Sequence, residues 1–148
     1  MPVVAYLLLT VALIIIDQVV KHWVSIHIAL NSGVKAIPGL LAITNLHNDG
    51  AAWSMLEGQQ GIFTAISIVA ILVVGYFFYR WRKRPLLVLP IAIILAGTIG
   101  NFIDRLTNGY VVDMFEVLFI NFPVFNVADI CLTVGVLWLV IMILKEEE

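Results

Sequence analysis

Apolar residues in this chain fall in long unbroken runs rather than in stripes. Four of them stand out: Val3–Val24, Gly61–Tyr79, Leu86–Ile103 and Val127–Leu144. Each holds about 18 residues or more; as a helix that is roughly 27 Å, close to the thickness of a bilayer's hydrocarbon core. The pattern predicts an α-helical integral membrane protein with four transmembrane helices, a single domain over residues 1–148. Two stretches between the runs read differently. Leu40–Leu46 and Tyr110–Phe119 are β-prone and lie beside Gly, Asn or Pro, which predicts short strands on the outer surface in contact with lipid headgroups.

The basic residues orient the spans. Arg80–Pro85, RWRKRP, carries half of the chain's eight Lys and Arg, and the positive-inside rule puts this short loop in the cytoplasm. Both termini then face the cytoplasm. The long loops Ser25–Gln60 and Leu106–Asn126, with Lys35 as their one Lys or Arg, face outward. Trp23 and Trp53 fit an outer aromatic belt and Trp81 an inner one, while Trp138, deep in the fourth run, is expected to pack against a neighbour.

Composition narrows the chemistry. Hydrophobic residues make up 62% and charged residues 12%, whereas a soluble domain is nearer a quarter charged. A net charge of −2 without a basic patch gives nucleic acid nothing to bind. The one cysteine, Cys131, cannot form an internal disulfide and reads as a packing residue. No basic region precedes the first run and no small-residue cleavage site follows it, so no secretory leader is expected. His22, His27 and His47 lack metal-ligand spacing, and no Gly-x-Ser-x-Gly elbow is present. Neither metal nor cofactor is expected.

The polar residues of the spans sort to one membrane face. Asp17 and Lys21 are four apart in the outer part of the first run. Asn101, Asp104 and Arg105 end the third, and Asn126 and Asp129 open the fourth; Asn48 and Asp113 lie in the outer loops. Ionisable groups in a bilayer cost about 2.5–3.5 kcal/mol at a helix centre on insertion scales, and scattered tolerance would not sort them to one side. Asp113 and Asp129 are placed to meet at that surface, and facing aspartates are the working part of an aspartic protease. Structural readings compete residue by residue. Asp17–Lys21 fits an ion pair holding the first helix, Gly97 and Gly100 fit a packing seam, and Asn126 with Asp129 fits an N-cap with an acid in the first turn.

Taken jointly, five motifs in register carry a resemblance. They are Asp17-Gln18-x-x-Lys21, Asn48-x-Gly50-Ala51-Ala52-Trp53-Ser54, Gly100-Asn101-x-x-Asp104-Arg105, Val111-Val112-Asp113 and Phe125-Asn126-x-Ala128-Asp129. The series resembles the lipoprotein signal peptidases (signal peptidase II) over nearly the whole chain. The resemblance implies Asp113 and Asp129 as the catalytic pair, with Asn101, Arg105 and Asn126 around them. It implies Asn48 and Gly50 at the substrate groove, and Asp17 and Lys21 in support. It implies a monomer of the bacterial cytoplasmic membrane that removes signal peptides from diacylglyceryl-modified prolipoproteins on the amino side of the lipidated cysteine. The outer strands would cradle the peptide and Ser54–Gln60 would form a lid. The rival reading is a small proton- or cation-coupled transporter, which calls for acids near the midplane and a polar path to the inner face; the sequence shows neither.

Overall fold

The computed structural model of the chain describes residues 3–50 and 58–146. Trp53 and residues 54–57 of the expected lid lie outside the described residues. Along the chain come α1 (Val3–His27), β1 (Gly33–Ile37), β2 (Leu41–Asn48), α2 (Gln60–Arg80), α3 (Pro85–Asn108), β3 (Val111–Val117) and α4 (Val127–Glu146). Four helices are long and apolar enough to cross a membrane, and a small antiparallel sheet ordered β1-β2-β3 accompanies them. The four-span reading of the sequence holds.

Helix α3 is the hub of the bundle. It packs against α1, α2 and α4, and 56% of its most apolar stretch is buried inside the protein against 17% in each other span. Outward-facing side chains such as Leu8, Leu72 and Leu137 are fully apolar. Lipid tails are as apolar as leucine, so burial of grease does not draw such helices together; close backbone packing must. Two glycines permit it between α3 and α4. A methyl on Gly97 would strike the Ala128 carbonyl oxygen, and one on Gly135 would lie 2.6 Å from Ile94 Cγ1 and 3.0 Å from the Pro90 carbonyl oxygen.

Both ends of α3 follow from its sequence. Pro85 opens it, where a missing N–H costs nothing. Gly109, at φ 79°, closes it in the left-handed conformation and donates its N–H to the Arg105 carbonyl at 3.2 Å. The helix therefore runs past the apolar run that ends at Ile103, and Asp104 and Arg105 stand on rigid helix rather than in a loop.

The sheet includes one strand that the sequence does not announce, β1. Pro38 and Gly39 (φ 73°) turn it into β2, with Leu40 N–H donating to the Ile37 carbonyl at 3.1 Å. In β2 and β3, Leu46 lies opposite Asp113 and Asn48 opposite Val111. Val112 and Met114 are buried against Val24 of α1 and Ile28 just beyond its end. Alternation then turns Asp113 to the opposite face, towards α4. A register shift between Ile43 and Leu46 places an extra residue opposite Met114 and bends the strand. Trp138 of α4 is 36% exposed, so part of its indole is covered by the protein and part faces outward.

Candidate active site

The site is built outward from one buried cation. Lys21 Nζ lies 2.8 Å from Asp17 Oδ2 and 3.1 Å from Asp104 Oδ2, and it donates to Asn101 Oδ1 at 2.9 Å. All four residues are buried. Gln18, adjacent to Asp17, donates to Asp104 Oδ1 at 2.9 Å and to the Gly100 carbonyl at 3.2 Å. Each acid also reaches into a neighbouring element. Asp17 Oδ1 accepts the Ala128 N–H at 2.8 Å, one of the unpaired donors at the start of α4. Asp104 Oδ2 accepts the Val112 N–H at 3.1 Å and so pins the start of β3. The ion pair read from the first span is therefore present, and Asp104 enlarges it to a triad that joins α1, α3, α4 and β3.

A chain of amides connects this triad to the other two carboxylates. Asn101 Oδ1 receives both Lys21 Nζ and, at 3.1 Å, Asn126 Nδ2. Its own Nδ2 must then point onward, and it donates to Asp129 Oδ1 at 2.8 Å. Asn126 Nδ2 also donates to Asp113 Oδ1 at 2.7 Å, and Asn48 Nδ2 donates to Asp113 Oδ2 at 2.9 Å. At the start of α4, Asn126 and Asp129 bond reciprocally: the Asp129 N–H donates to Asn126 Oδ1 at 2.9 Å and the Asn126 N–H to Asp129 Oδ2 at 3.1 Å. This is a capping box, so the structural reading of that pair holds. The cap locks the Asp129 carboxylate in place, and the same Asn126 amide holds Asp113.

Asp113 and Asp129 share a cavity of about 490 Å³ with Asn48, Gly50, Asn101, Arg105 and Asn126. The structure thus gathers every residue expected at the groove, while Asp17 and Lys21 stand behind it. Gly50 donates its N–H to Asn48 Oδ1 at 3.0 Å, which turns the Asn48 amide N–H towards Asp113. Arg105, half-buried, lines the cavity, and its guanidinium carbon lies 5.4 Å from the Phe63 ring centroid. Burial foremost, then the neighbouring Asp129 charge, pushes the Asp113 carboxyl up to about 7, against the pull of the Asn48 and Asn126 hydrogen bonds and of Lys21. A carboxyl in that position holds its proton near neutrality. Among the described residues no group of three or more His, Cys, Asp or Glu side chains could hold a metal ion.

The opposite wall was not foreseen. Phe122, Pro123, Val124, Ile130 and Val134 line the cavity with apolar surface. Phe125 fixes their segment: its carbonyl accepts the Met114 and Phe115 N–H groups at 3.0 and 2.8 Å. The available signal was the density of apolar residues in a loop read as outward-facing.

Fold and cavity together define a multi-pass membrane protein with a carboxylate site at one end of its helical bundle. Comparison with known proteins narrows the class. The profile of the family described as Signal peptidase (SPase) II matches residues 9–145, and the chain belongs to that family. The lipoprotein signal peptidase of Lactiplantibacillus plantarum is 54% identical over 143 residues, covering 97% of this chain and 96% of the other. That of Streptococcus thermophilus is 50% identical over 141 residues, covering 93% and 90%. A bacterial membrane enzyme solved by the in meso method at 2.3 Å superposes with a TM-score of 0.91 at 35% identity, covering 97% of this chain and 90% of that one.

The triad yields a prediction separable from catalysis. Lys21→Met leaves Asp17 and Asp104 buried without their cation, and breaking a buried pair in this way costs about 3–5 kcal/mol. Thermal unfolding in detergent is expected to drop sharply. An unchanged unfolding temperature would show that the triad does not hold the bundle.

Proposed function

We propose that this protein is an aspartic endopeptidase of the bacterial cytoplasmic membrane. It removes signal peptides from diacylglyceryl-modified prolipoproteins by cutting on the amino side of the lipidated cysteine. Family membership over nearly the whole chain supports signal-peptide removal from prolipoproteins. The observation that carries the aspartic reading is the convergence of Asp113 and Asp129 on one residue, Asn126, inside one cavity: its side-chain amide donates to Asp113 and its backbone N–H to Asp129.

The chemistry follows from a shared proton. Two close carboxylates do not both ionise readily, so the pair titrates as a unit and holds one proton near neutral pH. The ionised member takes a proton from water as the water oxygen attacks the scissile carbonyl carbon. The protonated member donates to the carbonyl oxygen as that oxygen gains charge, and the carbon–nitrogen bond breaks with proton delivery to the leaving amine. Arg105, at the cavity wall, offers fixed donors to the substrate backbone. The apolar wall from Phe122 to Val134 suits a substrate presented from the lipid. Two acyl chains, at about 0.8 kcal/mol per buried CH₂, would hold the scissile bond at that depth.

Replacing one acid tests the assignment. Asp113→Asn and Asp129→Asn are each expected to lower kcat by about 10²–10⁴-fold on a lipidated prolipoprotein while the protein still inserts and accumulates. Near wild-type turnover in either variant would remove that residue from the pair.

The Asp113 carboxyl sets a pH profile. With its folded-state value at about 7, kcat/KM is expected to fall above neutrality as the shared proton leaves, and to fall in acid when both members are protonated. The stability linkage has a definite sign. The folded value lies above the ordinary 3.8, so the contribution of this group is full in acid and is lost as pH rises through about 7. A rate that stayed flat to strongly alkaline pH would rule out a proton held at Asp113.

The basic loop Arg80–Pro85 supports a cytoplasmic placement for that loop and both termini, with the carboxylates on the outer side. A reporter fused after Glu148 is expected to read as cytoplasmic and one inserted near Gly39 as external. The reverse pattern would put the site on the wrong side for exported substrates.

A further inference from the structure

Helix α4 carries a polar side chain that the chemistry above leaves idle. Asp129, Ile130, Thr133 and Val134 all line the carboxylate cavity, and their spacing puts them on one face of the helix. The helix runs from the carboxylates into the bundle, so Thr133 lies one turn deeper than Asp129, about 6 Å along the axis. It is the one hydroxyl side chain in the cavity lining. Hydroxyls inside helices can close on the carbonyl four residues back, and three threonines here do so. Thr10 donates to the Tyr6 carbonyl at 3.0 Å, Thr98 to that of Ile94 at 2.8 Å and Thr107 to that of Ile103 at 2.9 Å. Thr133 does not. Among the described residues its Oγ1 has no hydrogen-bond partner, and Thr133 itself is exposed. A donor set between Ile130 and Val134 is unfavourable in apolar surroundings until a ligand takes it.

The ligand follows from what a membrane-held substrate must do to be cut. In a helix each carbonyl is bonded to an N–H four residues on, so the scissile carbonyl reaches the acids only after the signal helix has unwound beside it. Unwinding also frees carbonyls before the cut, and leaving them unpaired in lipid-like surroundings is strongly unfavourable. Extended chain points every second carbonyl the same way, at a repeat of about 6.6 Å. One turn of α4 is about 6 Å. A precursor that offers its scissile carbonyl to Asp113 and Asp129 therefore offers Thr133, on the same side, the carbonyl two residues earlier. We propose that Thr133 is a substrate-binding residue whose hydroxyl donates to the main-chain carbonyl of the third residue before the lipidated cysteine. The proposal rests on the peptidase reading above. The contact is to backbone, so it holds the unwound chain whatever side chains that chain carries.

Purified full-length protein in detergent tests it on a diacylglyceryl-modified precursor peptide. Thr133→Val keeps the shape and removes the hydroxyl. It is expected to raise KM about tenfold, with kcat, pH profile and unfolding temperature little changed, because the contact lies away from the reacting atoms. Thr133→Ser restores the hydroxyl and is expected to stay within about twofold of the wild type. A second precursor carries an (E)-alkene in place of the peptide bond that follows the third residue before the cysteine, and so lacks that carbonyl. The wild type is expected to show a KM about tenfold higher on it, and Thr133→Val no further loss. An unchanged KM in Thr133→Val, or a Thr133→Ser no better than the valine variant, would overturn the proposal. The ester carbonyls of the diacylglyceryl group offer the same chemistry, and an ether-linked precursor separates the two sources. If the penalty of Thr133→Val persists on that precursor, the peptide carbonyl is the acceptor; if it vanishes, the lipid is, and the proposal falls. Failure of the wild type to cleave any lipidated precursor would overturn the peptidase reading itself.

Discussion

The carboxylate end of this molecule is organised around one buried ammonium. Lys21 touches Asp17, Asp104 and Asn101, and these three contacts do different work. Asp17 carries the charge to the first turn of α4 through the Ala128 N–H, and Asp104 carries it to the start of β3 through the Val112 N–H. Asn101 carries only orientation: with its oxygen turned to the ammonium, its amide N–H faces Asp129. A lysine in this position is costly to desolvate unless its partners are fixed. The bundle fixes them by bringing α1, α3 and α4 into contact.

That contact has no hydrophobic drive behind it, because the outer faces of these helices suit lipid as well as their inner faces suit each other. The protein resolves this by packing backbone on backbone at Gly97 and Gly135, and by placing its polar groups inside. Gly100 shows how the two are linked. A methyl there would lie 2.6 Å from Asp17 Oδ2, so the absent side chain is the space in which the carboxylate meets Lys21. Small residue and ion triad are one design.

Much of this was legible in the sequence because it is local or periodic. Four apolar runs of spanning length gave the helices, and β-prone runs gave β2 and β3 to within a few residues. The acids sorted to one face gave the site's position. What stayed hidden depends on tertiary geometry. Strand β1 is short and fully exposed, so no alternation marks it. The apolar cavity wall from Phe122 to Val124 takes shape only when Phe125 pairs with β3. Asp104 looked like one more polar residue at a helix end, and only the fold shows it bridging Lys21 to the strand that bears Asp113. The Asn126–Asp129 pair was read as either a cap or a site. The cap is present, and it orients the Asp129 carboxylate in the cavity that Asp113 also lines.

The separation of the acids into two sets has a physical logic. Asp17 and Asp104 face a cation, while Asp113 and Asp129 receive their side-chain hydrogen bonds from the amides of Asn48, Asn101 and Asn126. A carboxylate against a buried ammonium is tied to it, since removing either partner would leave a buried charge uncompensated. A carboxylate held by neutral amides keeps its place in either protonation state, and can therefore pass a proton without the site falling apart. Four aspartates that look alike in sequence are thus assigned by their donors. Those bound to Lys21 are suited to holding structure, and those bound to asparagine are suited to chemistry. The proposed pair sits one amide away from the fixed charge, near enough to be positioned by it.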